Sequence, residues 1–216
     1  MSLPSPLVIA VDGPAASGKG TIAMALARHY GLPHMDTGLL YRAVALSLFR
    51  FGGDAASEFE AARAVHEIDK IDMIDAELRS EIVGGIASRI SMYPAVRAAL
   101  LDKQRAFAGQ EGGAVLDGRD IGSVISPDSR VKLFVTATPE TRAKRRLAEL
   151  EGRGMSAHFE EVLADIRARD ERDMSRAAAP LVQAPDAILL DTSSMTVDEA
   201  IAEALRLVEE ALTADA

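Results

Sequence analysis

Short apolar runs and longer segments of helical period alternate along the chain. The runs 7–12, 33–36, 114–117, 131–137 and 187–190 read as buried strands, 33–36 the weakest of them. Between them apolar positions recur at helical spacing: a helix opens at about Thr21 and continues through 22–30, and another covers 39–51, closed by Gly52-Gly53. A third starts at Thr138 with Pro139 in its first position, and a last one carries a capping box, Thr196 with Glu199. Such alternation predicts an α/β fold, a parallel five-stranded sheet covered by helices on both faces. Residues 55–109 interrupt the rhythm: they are mostly helical in pattern, lack a clear strand, and read as an insertion between the second and third strands. Phe49 and Phe134 read as core.

The first strand runs straight into Gly13-Pro14-Ala15-Ala16-Ser17-Gly18-Lys19-Gly20-Thr21. A strand, a glycine-rich turn and a helix start are what a phosphate-cradling loop requires. Glycines let the backbone turn tightly and aim successive N–H groups at one point, where the helix dipole adds to them. Lys19 supplies a mobile cation for outer phosphates, and Thr21 is the hydroxyl that could serve Mg²⁺ or its waters. The ordinary pattern places Ser or Thr directly after the lysine; here Gly20 intervenes.

Ligands of open parallel sheets sit at the carboxyl ends of the strands, and the unusual polar residues gather there. The second strand leads into Asp36-Thr37-Gly38, with Tyr41-Arg42 a helical turn on, and the third into Asp117-Gly118-Arg119-Asp120. Helical side chains lean towards the N-terminus, so Arg42 can reach an anion held at its helix start. A carboxylate at a strand end can hold Mg²⁺ through water, and a guanidinium suits phosphate. Plainer readings stay open: a helix cap with a solvent-facing arginine, and a polar turn with self-paired charges. The arginine-dense stretch 142–176 is balanced by carboxylates and suits an ion-paired helix pair, with Arg145, Arg146, Arg169 and Arg176 as candidate exceptions.

Composition narrows the classes further. At 216 residues the chain suits one well-buried domain, 1–216, with a small inserted lobe. A formal net charge of −9 argues against a surface for nucleic acid or anionic membrane, so any anion site is a local cluster. Without cysteine there is no disulfide, thiolate nucleophile or cysteine metal site. No membrane-length apolar stretch is present, residues 1–6 lack the features of a leader, and a cytoplasmic setting is expected. The four histidines, 29, 34, 66 and 158, have no metal-ligand spacing and default to surface or packing roles.

These residues together resemble the bacterial cytidylate kinases, nucleoside monophosphate kinases with an adenylate-kinase-like P-loop fold. The resemblance runs from Val8 to about Thr192. It includes the Gly-Lys-Gly-Thr form of the loop, Asp36-Thr37-Gly38 with Tyr41-Arg42, the stretch from Ala87-Ser88 to Pro94-Ala95-Val96-Arg97, 117–120, and Arg169-Asp170 through Asp173 and Arg176 to Pro180-Leu181. It implies transfer of the γ-phosphoryl group of ATP, with Mg²⁺, to CMP and also dCMP. Residues 13–21 would hold ATP. Thr37, Arg42 and Arg119 would hold the acceptor phosphate, with Asp117 in the same acceptor set. Ser88, Arg97 and Asp120 would read the cytosine, and Arg169, Asp173 and Arg176 would close over the nucleoside. A short lid, 142–155, would bring Arg145 and Arg146 to the ATP phosphates, so that Lys19, Arg42, Arg119, Arg145 and Arg146 surround the transferring group. The family's insert usually carries short strands before the Ser88 region, whereas 68–81 here is short and acidic; a reduced helical acceptor lobe is expected. No protein partner is demanded and a monomer is expected. Two other readings remain at this point. One is a nucleotide-gated switch, for which Asp69-Lys70-Ile71-Asp72 loosely echoes a guanine-reading motif; the other is a kinase of another small molecule.

Overall fold

The apolar runs become strands in a computed structural model, which describes residues 6–214, so all but Pro6 of the stretch read as lacking a leader lies outside the described residues. The strands are β1 (Leu7–Asp12), β2 (His34–Asp36), β3 (Gly113–Gly118), β4 (Val131–Thr136) and β5 (Ile188–Asp191). The helices are α1 (Lys19–Tyr30), α2 (Thr37–Arg50), α3 (Glu58–Ala64), α4 (Glu81–Ile90), α5 (Pro94–Ala108), α6 (Pro139–Gly152), α7 (Phe159–Ser175) and α8 (Val197–Ala214). The sheet order is β2-β3-β1-β4-β5. β1 pairs in parallel with both neighbours, Ile9 standing opposite Val115 and Val131, and β4 pairs in parallel with β5. From β1 the chain goes out to β2 and back to β3, then crosses to the other side for β4 and β5. The carboxyl end of β1 is therefore the switch point, where a crevice opens for a ligand.

Ile9, Val11, Leu133 and Val135 of the sheet are buried against Ile22 and Leu26 of α1 and Ala204 and Val208 of α8. Helices α6 and α7 join through Ala143, Leu150, Val162, Leu163 and Ile166, and Ala16 of the glycine loop packs against the same cluster. The predicted caps form: Thr138 Oγ1 accepts from Thr141 N, while Thr196 and Glu199 satisfy each other's backbone N–H groups.

Three expectations need correction. Helix α1 begins at Lys19, two residues before Thr21, because Gly18 takes a left-handed conformation and starts the helix with no side-chain cap. β5 lies one residue later than 187–190, since Ala187 N closes a turn onto Ala184 O. Phe49, on the last turn of α2, is 50% exposed rather than core.

The described residues fall into two compact units, one of 6–35 with 108–214 and one of 36–107. Beyond Asp36 the second unit contains no strand among the described residues, as the pattern of 55–109 predicts. Its Asp69-Lys70 lies in a 3₁₀ turn, Val65–Lys70, where Lys70 pairs with Glu67 and Asp69 with Lys103. That is ordinary surface pairing, and no strand leads into it as a base-reading loop would need. Among the described residues no helix is long and apolar enough to cross a membrane.

Candidate active site

The loop after β1 is shaped by contacts that only small residues allow. A Cβ on Gly13 would lie 2.0 Å from the Val135 carbonyl oxygen of β4, so the chain can leave the sheet there only as glycine. Ala16 at φ 58° and Gly18 at φ 91° are left-handed, which reverses the backbone within a few residues. Lys19 lies back over the loop, its Nζ donating to Pro14 O at 3.4 Å. Two arginines of α6 hold the loop from outside. Arg142 Nη1 donates to Ala15 O at 3.2 Å, and Arg145 Nη1 donates to Ser17 O at 3.3 Å. Thr192 Oγ1 also donates to Ser17 O, at 3.1 Å, and itself accepts from Arg145. In a planar trans peptide the N–H points opposite to the carbonyl. Pinning these two carbonyls therefore turns the N–H groups of Ala16 and Gly18 away from the arginines, leaving them to an anion.

Arg142 is itself buried and fixed by the Asp170 carboxylate of α7 in a two-pronged pair, 2.9 and 2.5 Å. In the sequence Arg142 is one of many charges that suit surface ion pairs. The burial and the reach to Ala15 come from α6 lying beside the loop, for which spacing alone carries no signal. Within the expected lid, Arg145 rests on the loop and on Thr192, while Arg146 donates to Glu149 at 2.5 Å and Glu149 also pairs with Arg153. Burial pushes the Glu149 carboxyl up, but the Arg146 and Arg153 guanidiniums outweigh it and hold the group below its usual range.

At the end of β3, Asp117 is buried and its Oδ1 forms a hydrogen bond with His34 Nε2 at 2.8 Å. Its other oxygen, Oδ2, lies 3.8 Å from where a Cβ of Gly20 would stand, so the carboxylate borders the first turn of α1. Of the surface and packing roles expected for the histidines, His34 takes a packing one; β2 lies next to β3 in the sheet, and that adjacency is invisible in sequence. Asp12, at the end of β1, accepts from Ile121 N and Gly122 N, both at 2.8 Å, and so ties the phosphate loop to the turn that carries Asp120. Burial raises its carboxyl to about 6, against the lowering effect of those two N–H groups and of Lys19. Asp120 is buried too, and its carbonyl accepts from Val124 N and Ile125 N.

The same unit gathers three of the predicted arginines around one carboxylate. Arg119 Nε donates to Asp173 Oδ2 at 2.8 Å and its Nη1 to Gly118 O at 3.2 Å. Burial pushes Asp173 up, but Arg119, then Arg176 and Arg169, outweigh it and hold it ionised below the usual range. Arg169 is lowered by burial and by the repulsion of Arg119. Asp165 attracts Arg169 as well and Arg146 repels it, so the charged cluster extends beyond Asp173. Guanidiniums gathered in this way suit a phosphate.

In the 36–107 unit, Asp36 caps α2 by accepting from Leu39 N at 3.1 Å, and a Cβ on Gly38 would stand 3.0 Å from that carboxylate. Thr37 is buried at the helix start. Arg42 Nη1 donates to Leu78 O at 2.7 Å and to Ser80 O at 3.3 Å. Arg97 Nη1 donates to Ser91 O at 3.3 Å, and its guanidinium lies 5.8 Å over the Tyr41 ring. Ser88 is buried on α4, its carbonyl accepting from Ser91 Oγ. Tyr41 is thus brought in as a support for Arg97, a role its place beside Arg42 in the motif did not suggest.

For a metal, the nearby donors are oxygens: the exposed Thr21 hydroxyl and the Asp117 carboxylate beside the first turn of α1. Oxygen donors of this kind fit Mg²⁺, which takes one or two protein oxygens and otherwise phosphate and water.

A central strand feeding a glycine loop and helix, in a sheet of order 2-3-1-4-5, defines an α/β protein of the P-loop class. A crystal structure of an uncharacterized protein from Eubacterium ventriosum shares the fold, with a TM-score of 0.55 at 16% identity over 94% of this chain and 98% of that one. The family model described as cytidylate kinase matches residues 9–210. The chain is 58% identical to the cytidylate kinase of Xanthobacter autotrophicus, over 94% of this chain and 97% of that protein. It is 56% identical to that of Azorhizobium caulinodans, over 95% and 99%. The chain belongs to the cytidylate kinase family.

Proposed function

We propose that this protein transfers the γ-phosphoryl group of ATP to the 5′-phosphate of CMP, giving ADP and CDP, and accepts dCMP as well. The observation that carries the reading is the pairing, within one unit, of a phosphate loop and a second set of arginines, Arg119, Arg169 and Arg176, around the buried Asp173. A nucleotide hydrolase needs the first of these. A second arginine-rich site is what a nucleotide acceptor requires.

Phosphoryl transfer asks little covalent chemistry of a protein; it asks for alignment and for neutralisation of charge on the transferring oxygens. Residues 13–21 hold the ATP phosphates, with Lys19 at the outer ones. Arg42 and Arg119 neutralise the acceptor phosphate, which Thr37 orients. Asp120 accepts from the cytosine amino group and Arg97 donates to the ring's N3 and O2, with Ser88 completing that edge. Uracil would set a carbonyl oxygen against the carboxylate, so UMP is the poorer acceptor. Arg169, Asp173 and Arg176 close over the nucleoside, Asp117 belongs to the acceptor set, and Arg145 and Arg146 of 142–155 screen the phosphates from water. Mg²⁺, held by Thr21 and Asp117 through water, supplies charge neutralisation on the phosphate oxygens when bound.

The test is ADP release from MgATP in a coupled assay with CMP, dCMP, UMP, AMP or no acceptor. CMP and dCMP stimulate release strongly, UMP and AMP weakly, and without acceptor release is slow. Release that ignores the acceptor contradicts the proposal and favours a nucleotide switch; release driven by a non-nucleotide alcohol favours a different kinase.

A further inference from the structure

Gly84 lies inside α4 and is not among the glycines with positive φ, so backbone conformation does not require glycine there. A glycine inside a helix is less stable than alanine, by about 0.5–1 kcal/mol. What it leaves open is the space occupied by Arg42. A Cβ on Gly84 would stand 2.9 Å from Arg42 Nη2, 3.1 Å from Nη1 and 3.3 Å from Cζ. All three are closer than carbon and guanidinium atoms approach without contact strain. The Nη1/Nη2 end of the guanidinium therefore occupies the space that a side chain at Gly84 would fill. Its edge is fixed at the same time, since Nη1 donates to the carbonyls of Leu78 and Ser80. Ser80 is the cap of α4, and its carbonyl also accepts from Gly84 N at 3.0 Å, so seat and edge belong to one rigid turn. The next residue, Gly85, has nothing within 4 Å of its Cβ position and is exposed. Two adjacent glycines thus stand in the same helix, and only one has an arginine lying on it.

We propose that Gly84 is a positioning residue for acceptor binding: its missing side chain sets the height and tilt of the Arg42 guanidinium. The inference rests on the reading of Arg42 as a ligand of the acceptor phosphate. The atoms nearest the Cβ position are the end of a flexible side chain, so a methyl group moves Arg42 and leaves the backbone in place. Gly84→Ala should therefore alter chemistry without loosening the fold.

The experiment compares Gly84→Ala, Gly85→Ala, Arg42→Ala and the double variant Arg42→Ala/Gly84→Ala. The readouts are KM for CMP, KM for ATP, kcat and the thermal midpoint. Gly84→Ala is expected to lower kcat/KM for CMP by about tenfold, the weight of one misaligned charge-assisted hydrogen bond, with KM for ATP unchanged and the midpoint at or above wild type. Gly85→Ala keeps wild-type kinetics. The double variant is no worse than Arg42→Ala, because the methyl group then has nothing to displace. Wild-type kinetics in Gly84→Ala beside an impaired Arg42→Ala overturns the seat while leaving the Arg42 assignment standing. Effects that add in the double variant overturn it too, whatever the midpoint does. An Arg42→Ala variant with unchanged KM for CMP overturns the Arg42 assignment itself.

Discussion

The two units set their arginines by different means. In the unit of 6–35 and 108–214, Arg119 is held by the buried Asp173 at 2.8 Å, and the buried Arg142 by the partly buried Asp170 at 2.5–2.9 Å. In the unit of 36–107, Arg42 is seated on two backbone carbonyls and a glycine, and Arg97 on a carbonyl and the face of Tyr41. A buried ion pair locks geometry through charge, at a desolvation cost that close hydrogen bonding must offset. A carbonyl seat locks it through shape and weaker dipoles. The first kind of site should fail when a charge is removed, the second when an atom is added. The position of Arg42 is for that reason the more sensitive to a single methyl group.

The largest effect expected in the first unit is at Lys19. Lys19→Ala should lower kcat by about 10³-fold, the scale of removing one principal electrostatic stabiliser, with circular dichroism and thermal midpoint unchanged. Removing a carboxylate from the arginine cluster should act on stability as well as on acceptor binding. Asp173→Asn removes the charge that pairs with Arg119 and is expected to destabilise by about 3 kcal/mol in urea unfolding, with part of the loss recovered in inorganic phosphate. An Asp173→Asn protein as stable as wild type would show that the cluster is held by shape after all.

The next effect is in the pH dependence of stability. Asp12 has a folded value of about 6 against an ordinary 3.8. Between those values the folded chain keeps a proton that the unfolded chain has released. Stability therefore falls as pH rises from 4 to 6 and then levels, by about 3 kcal/mol over the window. Asp12→Asn should remove that slope, read as the difference between the two proteins in urea midpoints at pH 4, 5, 6 and 7. The smallest effect tests the loop's outer support. Asp170→Asn frees Arg142 from its pair, and KM for ATP should rise by about tenfold with KM for CMP little changed. Equal changes in both would place Arg142 elsewhere in the mechanism.

Much of this arrangement was legible in the sequence where function depends on neighbours along the chain. The loop 13–21 reads directly because strand, glycines, lysine and helix are consecutive, and the caps at Thr138 and Thr196 read for the same reason. The motifs at 36–42 and 117–120 read because strand ends collect ligands. What stayed hidden depends on which elements lie side by side. His34 meets Asp117 across 83 positions, Arg142 meets Ala15 across 127, and Asp12 meets Gly122 across 110. None of these has a periodicity or spacing to announce it. Gly84 was hidden for a different reason: a missing side chain leaves no mark until something is seen to occupy its place. Phe49 misled because apolar character inside a helix pattern was read as burial, while the last turn of α2 is half open to solvent.

That two phosphate-binding sets serve one transfer is tested most directly by the fate of the γ-phosphorus. With γ-labelled ATP, Mg²⁺ and CMP, the label should appear in the β-phosphate of CDP, and little in inorganic phosphate. Label released as inorganic phosphate at the same rate with or without CMP would contradict it.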